Sequence, residues 1–435
     1  MSMIDTVKTA IKNPAYRSVA TYIFTNFFSK GVSFILIPLF TNPKYLTPTD
    51  NGLLSLFSSN MILLAPFITL GMIQSSAADY FKKSKEDFAA SLTGNFFIGA
   101  ILALLATLLL FIFQGTLREK FDFPASFVYI LPGLAFLTFT GELLFALIRN
   151  RNEVNNYAAT GISKSVIEYS VSVILIVFFF TGWMGRIWGI AISLIAVNLY
   201  SIWYYTRNGY INFSFQISHV WEEIKFGVPV LIFQLCVFML GATNKLFLAI
   251  FNVDKHDLGI YAIASILGAM MGTIAQSILL YVQPQLYKSL SEGDTSTASL
   301  KRHFFRYLKL LCFFAAICVG IVVFCYYFLI NKIYLSGLPY FFIVAASSFI
   351  WALNYFLFLF LLYYKKKKTI LMVALISITC SITVNIILVK NYLILGDALS
   401  GLVNTLIFSG IIIVVVRKLI KNNFGNSSIK NTVTT

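Results

Sequence analysis

Between Phe88 and Gln114 the chain reads FAASLTGNFFIGAILALLATLLLFIFQ, 27 residues without one charged side chain. A helix rises 1.5 Å per residue, so about 20 apolar residues cross the roughly 30 Å hydrocarbon layer of a bilayer. The run therefore predicts a membrane-spanning helix. Similar runs, separated by charged or Pro/Gly/Asn-rich breaks, recur along the 435 residues. They predict twelve spans, at approximately 18–41, 53–77, 88–114, 126–148, 157–181, 187–206, 227–251, 259–285, 308–330, 338–363, 369–389 and 397–416. Period-two alternation in ten-residue units is absent, and backbone groups in lipid must be paired internally, so helices are favoured over a barrel. The predicted fold class is an all-α integral membrane bundle.

Composition agrees with that reading. The chain is 58% apolar and 11% charged with a mean hydropathy of +0.82, whereas soluble domains carry about 25% charged residues. About a dozen spans use up the length, which excludes most enzymes built on a soluble catalytic domain. The first run begins near Arg17, is too long for a cleaved signal and has no small-residue cleavage site, so it is expected to remain as an anchor. Cys236, Cys312, Cys318, Cys325 and Cys380 all fall inside apolar runs, and His219, His256 and His303 all lie in connections. That pattern predicts no disulfide framework, zinc cluster, nucleophile–base pair or cofactor.

The formal charge of +16 would suggest nucleic acid in a soluble protein. Here the basic residues cluster in short connections, as expected of loops retained beside anionic lipid headgroups. Alternate connections carry 23 and 7 Lys+Arg, and three further lysines, Lys30, Lys164 and Lys245, lie within the runs. The richer side, which includes Lys365 to Lys368, is read as cytoplasmic and holds both termini. The division expected from this count is a cytoplasmic N-terminus (1–17), an N-lobe (18–206), a cytoplasmic linker (207–226), a C-lobe (227–416) and a cytoplasmic tail (417–435) whose polar end is expected to be disordered.

The two six-helix halves look related. Asp50-Asn51-Gly52-Leu53-Leu54-Ser55 opens the second span of the first half, and Asp257-Leu258-Gly259-Ile260-Tyr261-Ala262 opens the second span of the other. Each follows a span with one lysine, Lys30 or Lys245. Since six is even, the repeats enter the membrane in one direction and relate by a pseudo-two-fold axis along its normal.

A lysine within a span must snorkel, pair or face water. Tyr22, Asn26, Lys30 and Ser33 share one helical face, which favours a polar cavity for Lys30 over snorkelling. Gln234, Gly241 and Lys245 share another, but Lys245 is close enough to its helix end for either reading. Ser265, Gly272, Gln276 and Gln283 form a stripe on span eight, and Ser377, Ser381 and Asn385 one on span eleven. Helix packing is the first reading of both, and a wet wall for sugar hydroxyls the second. Among intramembrane carboxylates, Glu168 is expected to pair with Lys164 four residues earlier. Asp397 stands near the start of span twelve. Glu142 has no basic residue within a turn, so a proton-coupling role and a buried structural hydrogen bond both stay open. Pro66 and Pro132 predict kinks.

In these residues the chain resembles the Wzx-type flippases, the O-antigen and polysaccharide branch of the multidrug/oligosaccharidyl-lipid/polysaccharide exporter superfamily. The resemblance rests on Asn26-Phe27-Phe28-Ser29-Lys30-Gly31, the Asp50 to Leu56 opening, Arg149 with Tyr157, Lys225-Phe226-Gly227-Val228-Pro229 and Leu258 to Ala262, and covers about residues 18–290. Members often carry an acidic–basic pair near the end of span seven, where this chain has Asn244-Lys245. The resemblance implies two lobes around a cationic cavity that opens alternately to either side. It also implies an inner-membrane location and an undecaprenyl-diphosphate-linked oligosaccharide as substrate. Lys30, Lys245, Asn26, Gln234 and Gln276 are then the candidate substrate-binding residues, and Glu142 the coupling candidate. Expected partners are the polyprenyl-linked glycan, membrane lipids and polysaccharide polymerase machinery, with no nucleic acid, and the expected state is a monomer. The rival readings are a multidrug exporter, for which acidic cavity residues would be expected, and a polyprenyl-glycan polymerase or ligase, which would need a large outer loop.

Overall fold

In the computed structural model the described residues are 31–81, 83–121, 124–214, 253–291, 297–363 and 367–430, with isolated positions in 21–28 and 221–251. Every regular element among them is helical. The predicted first span is described in part, helical over 31–35 and 37–40, and the predicted seventh falls largely outside the described residues, while the others are seen as helices. The chain divides into two compact units, Met1–Leu235 and Cys236–Thr435.

Unit 1 contains a helical turn, Ile37–Phe40, and then α1 (Pro48–Thr69), α2 (Met72–Asp79), α3 (Lys85–Ile112), α4 (Gln114–Phe121), α5 (Phe127–Asn150), α6 (Val154–Val177) and α7 (Trp183–Asn208). Local chemistry sets their ends. Thr47 caps α1 in a reciprocal box with Asp50, with Pro48 in the first turn. Ser84 accepts from the Asp87 amide to start α3. Pro66 sits in the last turn of α1, and the chain breaks just after it, at Leu70 and Gly71, both with positive φ. The predicted second span is therefore α1 and α2 with a break between them. Pro132, by contrast, is absorbed within a continuous α5.

Helix α5 is the hub of unit 1. It packs against α1, α2, α3, α6 and α7, and Leu131, Ala135, Phe139, Leu143, Leu144, Leu147 and Ile148 are buried along it. The outer faces of α3 and α7 are instead apolar and exposed, at Ile101, Leu104, Leu105 and Leu108 and at Trp188, Ile192, Ile195, Leu199 and Ile202. That is the surface a lipid-facing helix presents.

Unit 2 contains α8 (Lys255–Ser291), α9 (Thr297–Phe328), a 3₁₀ turn (Lys332–Gly337) capped by Asn331, α10 (Leu338–Tyr363) and α11 (Lys367–Lys430). Asp257 lies in the first turn of α8 as Asp50 does in α1, each favoured by the positive end of the helix. The 64 residues of α11 do not form one rod. Leu393 has φ 50° and ψ −122°, and Asn385 and Asn404 reach Ser400 and Ser381 across the break. The pairs lie at near-equal distances on either side of Leu393, so α11 is an antiparallel hairpin containing both predicted final spans. Nine helical stretches among the described residues are long and apolar enough to cross a membrane, and this 48-residue hairpin, Met372–Leu419, is the last. The helix runs on to Lys430, where composition predicted a disordered end. No proline follows Arg417, and Gly425 alone weakens a helix by only about 1 kcal/mol.

Candidate functional site

Of the predicted binding residues, Asn26, Lys30 and Lys245 lie outside the described residues. Nearby Thr25 is buried, and a Cβ on Gly161 of α6 would come within 2.6 Å of its Cγ2, so the first helix passes close to α6 at that point. Gln234 is half-buried, and its Oε1 has no hydrogen-bond partner among the described residues. Gln276 is exposed on α8, on a line with exposed Ile266 and Ala269. Glu142 is exposed within a stretch of α5, from Leu134 to Ile148, that is otherwise buried or half-buried, and it has no ion pair or side-chain hydrogen bond among the described residues. The described residues thus bring none of these groups into direct contact. An exposed carboxylate in mid-span faces water or lipid, and an acidic side chain at the helix centre costs about 2.5–3.5 kcal/mol on insertion scales. Glu142 is better placed by a wet surface.

The expected Lys164–Glu168 pair is corrected. Glu168 Oε1 lies 2.6 Å from Arg186 Nη2 on α7, and Arg186 Nη1 donates to Ser172 Oγ at 3.1 Å. The guanidinium also lies 4.5 Å from the centre of the Tyr169 ring. An exposed i,i+4 pair contributes only a few tenths of a kcal/mol, whereas Arg presents a fork that meets a carboxylate and a hydroxyl together. The helices come close enough for this at Gly189, where a Cβ would fall 2.6 Å from the Glu168 carbonyl oxygen. Arg186 stands at the start of α7, yet its side chain reaches Glu168 and Ser172 on α6.

At the opposite end of α5 and α6 a second network ties the connections together. Arg151 Nε lies 2.6 Å from Glu153 Oε1, and its Nη1 donates to Asn208 Oδ1 at 3.1 Å and to Tyr210 OH at 3.3 Å. Tyr204 OH and Asn156 Nδ2 both donate to Glu153 Oε2 at 2.9 Å. Burial works against the charge on Arg151, but Tyr204, Tyr210 and Glu153 outweigh it and raise its proton affinity, so the guanidinium stays charged. The stretch after α7 is held to the same end, because the Asn212 amide donates to Thr93 Oγ1 at 3.0 Å. Gly209, with φ 68°, makes the turn that allows this.

Unit 2 holds a polar seam that the sequence only hinted at. Asp397 is wholly buried, and the Tyr261 hydroxyl of α8 faces its carboxylate, with Ser265 beside it. Ser400 Oγ donates to Asn385 Oδ1 at 2.6 Å and Asn404 Nδ2 to Ser381 Oγ at 3.0 Å, while Asn354 Nδ2 reaches the Thr405 carbonyl at 3.1 Å. The Ser381 and Asn385 stripe is therefore a helix-packing seam, the first of its two readings. Tyr261 stands in the helix-opening motif, and that was the one signal pointing to its role.

With this geometry in hand, the chain compares with known proteins as follows. The lipid II flippase MurJ, in an inward closed conformation, aligns with a TM-score of 0.72 at 16% identity, over 92% of this chain and 87% of that one. An inward-facing multidrug resistance MATE family transporter of the MOP superfamily aligns at 0.66 and 14% identity, over 91% and 96%. The MATE multidrug transporter DinF-BH aligns at 0.62 and 12% identity, over 92% and 94%. These likenesses establish the fold. No curated protein matches. The sequence pattern of the family described as polysaccharide biosynthesis protein matches residues 15–285, more than half of the chain. This all-helical, multi-pass membrane chain belongs to the polysaccharide biosynthesis protein family.

Proposed function

We propose that the protein is a flippase and not an enzyme, moving an undecaprenyl-diphosphate-linked oligosaccharide, such as an O-antigen repeat unit, from the cytoplasmic to the outer leaflet of the inner membrane. The observation that carries this is the family match on a chain whose described residues are almost wholly membrane helix. A polysaccharide-biosynthesis protein of that build is suited to moving an intermediate rather than to making a bond. A charged glycan headgroup cannot cross hydrocarbon unaided, because its phosphates and hydroxyls would lose their water. A protein that supplies a wet, cationic route and leaves the polyprenyl tail in lipid removes that barrier. Alternating access through such a cavity is the mechanism this reading takes. Lys30 and Lys245 would meet the diphosphate, Asn26, Gln234 and Gln276 the sugar hydroxyls, and Glu142 would couple movement to a proton gradient.

A multidrug exporter is the second reading, favoured by the likeness to the two MATE transporters. The charges that the sequence places within the predicted spans include Lys30 and Lys245, which suit an anionic substrate. Replacing Lys30 separates the readings. Lys30→Ala is expected to abolish glycan export at normal membrane levels, and Lys30→Arg to retain part of it, since a guanidinium also binds phosphate. Full export by the alanine variant would remove Lys30 from the mechanism. Reporter fusions after Arg417 and within Lys365 to Lys368 are expected to read cytoplasmic, and a periplasmic signal at either would overturn the orientation.

A further inference from the structure

We propose that the outward face of α9 docks an acidic phospholipid from the leaflet at the start of that helix, with the phosphate on Arg302, Arg306 and Lys309 and the acyl chains along Phe313, Ile317 and Phe324. The assignment does not depend on the flippase reading. It needs only that α9 crosses a membrane, and Lys301–Phe328 is long and apolar enough to do so.

The register of α9 is fixed from its inner side. Tyr307 donates to the Ala352 carbonyl of α10 at 3.0 Å, and its ring stacks on Phe356 with centres 5.3 Å apart. Leu311, Ala315, Cys318 and Val322 follow Tyr307 at helical spacing and are all buried, so they form one face. Arg302, Arg306, Lys309, Phe313, Ile317 and Phe324 share the opposite face, and every one of them is exposed. Gly320 lies on the same line, where an added Cβ would meet nothing within 4 Å. The line therefore runs open from the first turns of α9 to its last.

Along this open line the chemistry changes once. Helix α9 carries Lys301, Arg302, Arg306 and Lys309 near its start and no acidic residue anywhere from Thr297 to Phe328. Arg302 and Lys309 have no ion pair or side-chain hydrogen bond with another described residue. From Lys309 to Phe328 the helix rises roughly 28 Å, which fills the hydrocarbon layer. The cations thus stand at headgroup level, with Lys309 at its lower limit and able to snorkel upward. Near an anionic surface each such residue strengthens attraction about fivefold, and an arginine fork takes phosphate oxygens in pairs. Inward of Lys309 the line offers no hydroxyl or amide until Tyr327 in the last turn. That suits acyl chains and gives nothing to the sugars of a glycan lipid, so the charge and the apolar track together fit a phospholipid.

The test uses Cys312, which is exposed about one turn inward of Lys309. It is labelled with bimane in the full-length protein, with the other four cysteines replaced by alanine, and reconstituted in phosphatidylcholine vesicles. The quencher is a doxyl-chain phosphatidylglycerol or, at the same mole fraction, a doxyl-chain phosphatidylcholine. The acidic quencher is expected to act with about fivefold higher apparent affinity, an advantage that raised salt diminishes. Arg302→Gln, Arg306→Gln and Lys309→Gln together should remove the advantage without changing quenching by the neutral lipid. Arg417→Gln with Lys418→Gln, a loss of exposed charge on α11, should leave it intact. Equal quenching by the two lipids before any cation is replaced overturns the proposal, as does an advantage that survives the triple change or raised salt. Loss of the advantage in the Arg417 and Lys418 variant overturns it too, because the attraction would then be diffuse. If undecaprenyl diphosphate displaces the acidic quencher at lower concentration than unlabelled phosphatidylglycerol does, the face belongs to the carrier lipid and the phospholipid assignment fails. The lipid comparison and the salt dependence need no cation variant, so misfolding of the triple variant does not shield the proposal.

Discussion

Arg186 and Glu168 form a half-hidden pair whose partners are each other's main compensation. Removing one side of such a pair leaves a desolvated charge, a loss of about 3–5 kcal/mol in buried cases. Arg186→Ala is therefore expected to lower the unfolding temperature in detergent clearly, Lys164→Ala hardly at all, and Arg186→Met with Glu168→Gln less than Arg186→Ala alone. A large effect of Lys164→Ala would restore the pairing that sequence spacing suggested. In unit 2, Asp397→Ala removes the buried carboxylate that faces the Tyr261 hydroxyl and is expected to lower stability. Combining it with Tyr261→Phe should recover part of that loss in a double-mutant cycle, and strict additivity would show the two groups to be independent. These pairings were illegible in the sequence for one reason. Spacing along a helix reveals which residues share a face, but not which side chain of another helix meets that face.

At the scale of elements the sequence was far more informative, because burial of a span depends on composition and length alone. The predicted spans 126–148 and 338–363 correspond to α5 at Phe127–Asn150 and α10 at Leu338–Tyr363. Breaks were harder to read. Pro66 signalled a disturbance in the second span, but the change of direction falls at Leu70–Gly71, where a left-handed residue is needed. Leu393 is a leucine with positive φ, and nothing in its type announces a turn. The polar residues flanking that turn did carry a legible signal, since serine and asparagine at helical spacing mark helix contacts in membranes. The register of the hairpin can be checked in a background without the native cysteines. Ser381→Cys with Asn404→Cys is expected to join rapidly with a short bifunctional thiol reagent, and Ser381→Cys with Leu393→Cys not at all. The reverse pattern would mean that the two arms do not pair about Leu393.

For the whole molecule, the composition identifies a membrane protein, the helices among the described residues follow the order of the predicted spans, and the match over residues 15–285 gives the family. Substrate and energy source are a further step, because folds shared by MurJ and the MATE transporters do not distinguish a lipid-linked glycan from a drug. Charge supplies the distinction proposed above, in Lys30 and Lys245 within the predicted spans. A direct decision comes from one reconstitution in which the purified chain, in the same vesicles, is offered a fluorescent undecaprenyl-diphosphate oligosaccharide and a cationic dye. Leaflet position of the glycan is read by a membrane-impermeant quencher, and dye by its release. The account predicts protein-dependent movement of the glycan lipid and none of the dye; dye movement with the glycan lipid left in its original leaflet would contradict it.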